Sequence, residues 1–129
     1  MGSISITSVT KRFQAGDSAV TALDDVNVTV QEKEFVTLVG ASGCGKSTLL
    51  NLIAGFEMPT VGQIVVDGQS VKGPGPDRGV VFQQTALFPW LSVEDNIAFG
   101  LSLRANRGKG DRQHVVERML QRTGLSAFR

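Results

Sequence analysis

The chain has 129 residues, 41% of them apolar and 15 of them glycine, which suits one domain or part of a larger one with a packed core. Its 13 basic and 12 acidic side chains leave a net charge of +1, so no polyanion-binding field is expected and nucleic acid is not an expected partner. The single cysteine excludes an internal disulfide and suits a reducing compartment. The opening MGSISITSV has no basic segment followed by an apolar one, so it does not read as a secretory signal, and Ile6 stands where a myristoylation start wants Ser or Thr. The longest apolar run, around residues 49–56, is far too short to cross a bilayer. A soluble cytoplasmic protein is expected.

In chain order, alternation through Ile4, Ile6 and Val9 predicts a strand, and Val26, Val28 and Val30 predict a second one. Between them QAGDSA (residues 14–19) reads as a hairpin loop. The apolar run FVTLV at 35–39 predicts a strand buried on both faces. Leucines and isoleucine at helical spacing predict a helix over 47–54, capped at its C-terminus by Gly55. Pro59 and Gly62 bracket a turn, 63–66 reads as a strand, and Asp67-Gly68 marks the next turn. KGPGPDRG at 72–79 is a loop, followed by a short strand at 79–82. Ser92 with Asp95 is a capping pair for a helix reaching about Leu103. RANRGKG is a basic connector, and Arg104, Arg107, Lys109 and Arg112 are read as forming a solvated connector. A last helix is expected over 111–124, with His114 on its solvated face. Strands followed by a strand–loop–helix unit and then helices give an α/β class, with a helical part starting near residue 90.

Residues 40–47, GASGCGKS, match G-x-x-x-x-G-K-[ST], the phosphate-binding loop. Glycines at 40, 43 and 45 let the backbone turn tightly, so that N–H groups along Gly40, Ala41, Ser42, Gly43, Cys44 and Gly45 can face phosphate oxygens. The helix that follows adds its positive N-terminal end. Lys46 supplies a full charge for the β- and γ-phosphates, Ser47 a hydroxyl ligand for Mg²⁺, and Thr48 a hydroxyl toward the α-phosphate. A chance match to the four fixed positions should occur on the order of once in a few hundred such chains, and here the loop also lies between an apolar run and a helix. A dinucleotide-binding G-x-G-x-x-G is excluded, because Thr48 stands where its last glycine would be.

VGASGCGKSTLLNLIAG, GVVFQQTALFPWLSVEDNIAFGL and the upstream TALDDVNVTV together resemble the N-terminal half of an ATP-binding-cassette (ABC) transporter ATPase. The resemblance implies a P-loop nucleotide-binding fold with an N-terminal antiparallel β part and the start of a helical subdomain. It divides the chain into a β part with the P-loop core (1–83) and a Q-loop with the beginning of the helical subdomain (84–129). It implies ATP and Mg²⁺ as ligands, a homodimer of the full-length subunit, transmembrane permease partners, and a peripheral position on the inner face of the cell membrane. Phe13 falls where the family places an adenine-stacking aromatic, usually tyrosine; a strand-end core residue is the other reading. Gln83 resembles the glutamine that touches Mg²⁺ and the attacking water, with Gln84 as the neighbouring alternative. Leu87, Phe88, Pro89, Trp90 and Leu91 read either as core or as a docking surface for a permease helix.

GPGPDRGVVFQ followed by LFPW resembles the nitrate, sulfonate and taurine importers, taurine most closely. The family's LSGGQ-type signature, its apolar strand ending in Asp-Glu and its switch histidine do not occur in these residues, and ERMLQRTGLSAF resembles the helix just before the signature. Two functions stand: the ATP-hydrolysing subunit of an importer, and a nucleotide-binding fragment without turnover. A P-loop kinase is a third, against which the VFQ…LFPW pattern speaks.

Overall fold

The computed structural model describes residues 2–103 and 112–128, and the chain forms two compact units divided between Val81 and Phe82. The first unit carries an antiparallel sheet of strands β1 (Ile4–Ala15), β2 (Ser18–Val30), β3 (Val61–Val66) and β4 (Gln69–Ser70) in the order β2-β1-β3-β4. Helix α1 (Lys46–Ala54) lies between β2 and β3 in sequence. It presents Leu49 and Leu52 to a core that also contains Ile6, Val9, Leu23, Ile64, Val66 and Val71. The period-two pattern is what makes this possible: Ile4, Ile6 and Ile64, Val66 are partners across β1 and β3, so their side chains gather on the face that α1 covers. Gly55, at φ 81, ends the helix, and its N–H reaches back to the Leu52 carbonyl at 3.1 Å.

The hairpin is longer and tighter than the sequence suggests. Of the six residues in QAGDSA only Gly16 and Asp17 form the turn, and the others continue the strands. Farther along, both strands bulge where Ser8 and Asp25 adopt positive φ (46° and 44°). Side chains hold this irregularity in place. The Ser8 N–H donates to Asn27 Oδ1 at 2.8 Å, and the Asp25 N–H donates to the buried Thr10 hydroxyl at 3.1 Å. Gly62 faces the bulge, and a Cβ there would run into the Ser8 and Thr7 carbonyls.

Two expected strands do not form. Residues 35–39 and 79–82 have no ladder partner among the described residues, and Phe35, Val39 and Val81 are 92%, 90% and 99% exposed. A strand of a parallel sheet is stabilised by hydrogen bonds to neighbours on both sides, which an apolar run cannot supply for itself.

In the second unit, helices α2 (Val93–Ser102) and α3 (Arg112–Thr123) pack through Ala98, Val116 and Leu120, with Val93, Ile97 and Leu101 around them. Ser92 caps α2 as expected, its Oγ accepting from the Asp95 N–H at 3.1 Å. Gly124, at φ 71, closes α3, with the Leu125 N–H bonded to the Leu120 carbonyl at 2.9 Å. The connector holding Arg104, Arg107 and Lys109 lies outside the described residues. Arg112 is not part of a connector: it begins α3 and faces Asp95 at 3.7 Å, both side chains exposed. His114 is exposed on α3, as expected. Among the described residues no helix is long and apolar enough to cross a membrane.

Candidate functional site: the phosphate loop and its surroundings

The loop from Gly40 to α1 is held by its own groups. Gly43 and Gly45 adopt φ 79° and 94°, the left-handed region that glycine enters without Cβ strain. Gly45 also has no room for a side chain: a Cβ would lie 2.6 Å from the Ala22 carbonyl oxygen and 2.8 Å from Leu23 Cδ2. This close approach seats the start of α1 against β2, and the Leu49 N–H to Gly45 carbonyl bond of 2.9 Å begins the helix there. No acidic side chain stands in the first turn of α1, so that turn itself offers no carboxylate to its positive end.

Lys46 folds back over this loop. Its Nζ donates to the Gly40 carbonyl at 2.8 Å and the Ala41 carbonyl at 2.7 Å, and lies 3.5 Å from Cys44 Sγ. The ammonium is thus shared between two carbonyls of the loop. Ser47, next along the chain, is exposed, and Thr48 is half-buried. The hydroxyl of Ser47 is a hard oxygen donor of the kind Mg²⁺ takes, one residue from the lysine, so the residues present fit that ion alongside a phosphate. Among the described residues no cluster of three His, Cys, Asp or Glu could hold a metal by itself.

Phe13 belongs to the same unit, on β1 opposite Val20. It is not buried core: the residue is 38% exposed and the Lys11 ammonium sits over its ring, 4.8 Å from the centroid. Gln83 and Gln84 are exposed and belong to the second unit.

In the second unit, no residue of the 87–91 segment is buried: Phe88 and Leu91 are half-buried and Leu87, Pro89 and Trp90 are exposed. The Phe88 ring packs between Trp90 (centroids 5.5 Å apart) and Phe99 (4.4 Å), while Leu87 and Trp90 are 69% and 77% exposed. Asn96 fixes the turn. Its Oδ1 accepts from the Phe88 N–H at 2.8 Å, and its Nδ2 donates to the carbonyls of Phe88, Leu91 and Ser92 at 3.0–3.1 Å. Neither Asn96 nor Lys11 is marked by a motif in the sequence. Lys11 could have been found from its place two residues before Phe13, on the same face of a strand. Asn96 carries a weaker signal, an amide in the first turn of a helix that follows an aromatic loop.

The antiparallel sheet, the glycine-lined loop and the helix behind it define a P-loop fold of the ATP-binding-cassette kind, and solved structures agree. The ATP-binding cassette MJ0796, in a dimeric post-hydrolysis state bound to ADP and Pi, superposes with a TM-score of 0.75 at 32% identity, over 92% of this chain and 54% of that one. A second dimeric structure of the same bacterial ABC transporter cassette gives 0.76 at 33% identity, with the same coverage. The ABC transporter family model matches residues 23–129, and the chain belongs to that family.

Among curated relatives, an ABC transporter ATP-binding protein of Methanocaldococcus jannaschii is 46% identical over 97% of this chain and 46% of its own length. The taurine import ATP-binding protein TauB of Burkholderia thailandensis is 50% identical over 86% of this chain and 44% of its own. The nitrate import ATP-binding protein NrtD of Synechococcus elongatus is 45% identical over 92% and 43%. The chain thus spans under half the length of these curated relatives.

Proposed function

We propose that this chain is the nucleotide-binding part of the ATPase subunit of an ABC importer. The observation that carries this reading is the loop at 40–47, with left-handed Gly43 and Gly45 directly ahead of Lys46 at the start of α1. In this account the Lys46 ammonium leaves the Gly40 and Ala41 carbonyls for the β- and γ-phosphates. The exchange replaces hydrogen bonds to neutral acceptors with stronger bonds to charged ones. The N–H groups of the loop and of the first turn of α1 take the remaining phosphate oxygens, and Thr48 serves the α-phosphate side. Ser47 would hold Mg²⁺, which would supply charge neutralisation on the phosphates, and Gln83 is assigned as a further ligand by its resemblance to the family's glutamine. Gln83 also orients the attacking water, and the Phe13 ring stacks on adenine.

The turn that exposes Leu87 and Trp90, with the half-buried Phe88 between them in sequence, is the surface we assign to permease subunits, since anchors of this kind fill pockets in a partner. The subunit would then act as a homodimer on the cytoplasmic face of the membrane. Taurine or another sulfonate, or nitrate, is the proposed solute class, in keeping with the relatives named for taurine and nitrate import. Turnover also requires a general base and a partner surface that closes on the nucleotide. We assign neither to residues 1–129, so the chain alone is proposed to bind nucleotide without hydrolysing it.

Steady-state phosphate release tests this reading. The 129-residue chain should show none above background. A polypeptide extended through an LSGGQ signature, an acidic strand end and a switch histidine should turn over, and Lys46→Ala should abolish that turnover. Steady hydrolysis by the purified chain ending at Arg129, lost on Lys46→Ala, would overturn it.

A further inference from the structure

Lys11, in the first unit, is held at its ammonium by two partners. Its side chain is only 12% exposed, its Nζ makes a 2.8 Å ion pair with Glu57 Oε2, and it donates to the Met58 carbonyl at 2.8 Å. Both partners lie just past the end of α1, beyond the Gly55 cap. The same ammonium stands over the Phe13 ring, 4.8 Å from its centroid. Lys11 and Phe13 are two residues apart on β1, so the strand's period places them on one face. The charge that touches the ring is therefore fixed from outside the strand, through Glu57 and Met58.

We propose that Lys11 is a positioning residue for base recognition: anchored by Glu57 and the Met58 carbonyl, it fixes the Phe13 ring and covers one of its faces. A base can then stack only on the opposite face. The proposal rests on the reading of Phe13 as the base platform, and it adds the device that orients that platform. The physical basis is twofold. A cation over a ring face is attracted by the ring's quadrupole, and a platform already held in place loses less conformational freedom when a ligand stacks on it.

The test is calorimetric affinity of the full chain for two probes, Mg-ATP and Mg-tripolyphosphate, the second offering phosphates without a base. Lys11→Met should weaken Mg-ATP binding about three- to tenfold and leave tripolyphosphate binding unchanged. Lys11→Arg, which keeps a cation for the ring and donors for Glu57, should restore Mg-ATP affinity. Glu57→Ala removes the anchor without touching the ring and should also weaken Mg-ATP alone; it decides the question if Lys11→Met does not fold. Phe13→Ala separates the two layers of the argument. If Phe13→Ala loses Mg-ATP affinity while Lys11→Met or Glu57→Ala keeps it, the platform stands and the positioning role of Lys11 is refuted. Equal loss of both probes in the Lys11 variant also refutes it, because the lysine then acts on the phosphates or on the fold. Unchanged Mg-ATP affinity in Phe13→Ala removes the platform, and the role of Lys11 with it.

Discussion

Asn96 and Phe88 are joined by two reciprocal hydrogen bonds: the Phe88 N–H donates to Asn96 Oδ1 at 2.8 Å, and Asn96 Nδ2 donates back to the Phe88 carbonyl at 3.1 Å. The amide also reaches the Leu91 and Ser92 carbonyls, so one side chain closes the whole turn that displays Trp90. Asn96→Asp would set a carboxylate oxygen against three carbonyls. We expect the turn to lose about 1–3 kcal/mol of local stability. Trp90 is the chain's one tryptophan, so its fluorescence anisotropy reads the turn directly. Anisotropy should fall in the variant, and an unchanged value would show that the turn holds without Asn96.

Gly45 and Gly43 make a matched comparison. Both have positive φ, but only Gly45 is closed in by the Ala22 carbonyl and Leu23; a Cβ on Gly43 meets nothing within 4 Å. Gly43→Ala should cost about 1–2 kcal/mol for the left-handed backbone alone. Gly45→Ala should cost more, because α1 must also move away from β2. Urea unfolding should rank the midpoints wild type, then Gly43→Ala, then Gly45→Ala. Equal midpoints for the two variants would mean that the contact of Gly45 with β2 contributes nothing.

Cys44 is exposed, and its Sγ lies 3.5 Å from Lys46 Nζ. A nucleotide held by this loop would cover the thiol. Maleimide labelling of Cys44 should therefore slow in the presence of Mg-ATP, and the labelled protein should no longer bind nucleotide. Labelling at one rate with and without saturating Mg-ATP would place Cys44 away from the phosphates.

What the sequence shows clearly is what short spacing encodes. The phosphate loop, α1 with its Gly55 cap, and the start of α2 at Ser92 all follow from residues within one or two turns of each other. The runs at 35–39 and 79–82 state a demand for burial but not the neighbour that would meet it, and the pairing of a strand is a property of two segments. The bulge at Ser8 and Asp25 was invisible for the same reason. Neither residue is a glycine, and their positive φ is held by Asn27 and Thr10, whose roles appear only once β1 and β2 are side by side. The Lys11–Glu57 pair joins residues 46 apart, a distance no periodicity reports. At the candidate site, the glycines and Lys46 were legible, whereas the groups that steady Phe13 and the Trp90 turn were not.

Lys46 is the residue proposed to serve a nucleotide's phosphates, and its ammonium lies 2.8 Å from the Gly40 carbonyl and 2.7 Å from that of Ala41. Hydrogen bonds to charged groups contribute about 1.5–3 kcal/mol each, so Lys46→Ala should weaken Mg-ATP binding roughly tenfold to a hundredfold. Titration calorimetry of Mg-ATP into the wild type and into a folded Lys46→Ala variant measures this directly. A loss of that size is expected; equal affinity in the two proteins would remove Lys46 from the phosphate-binding role.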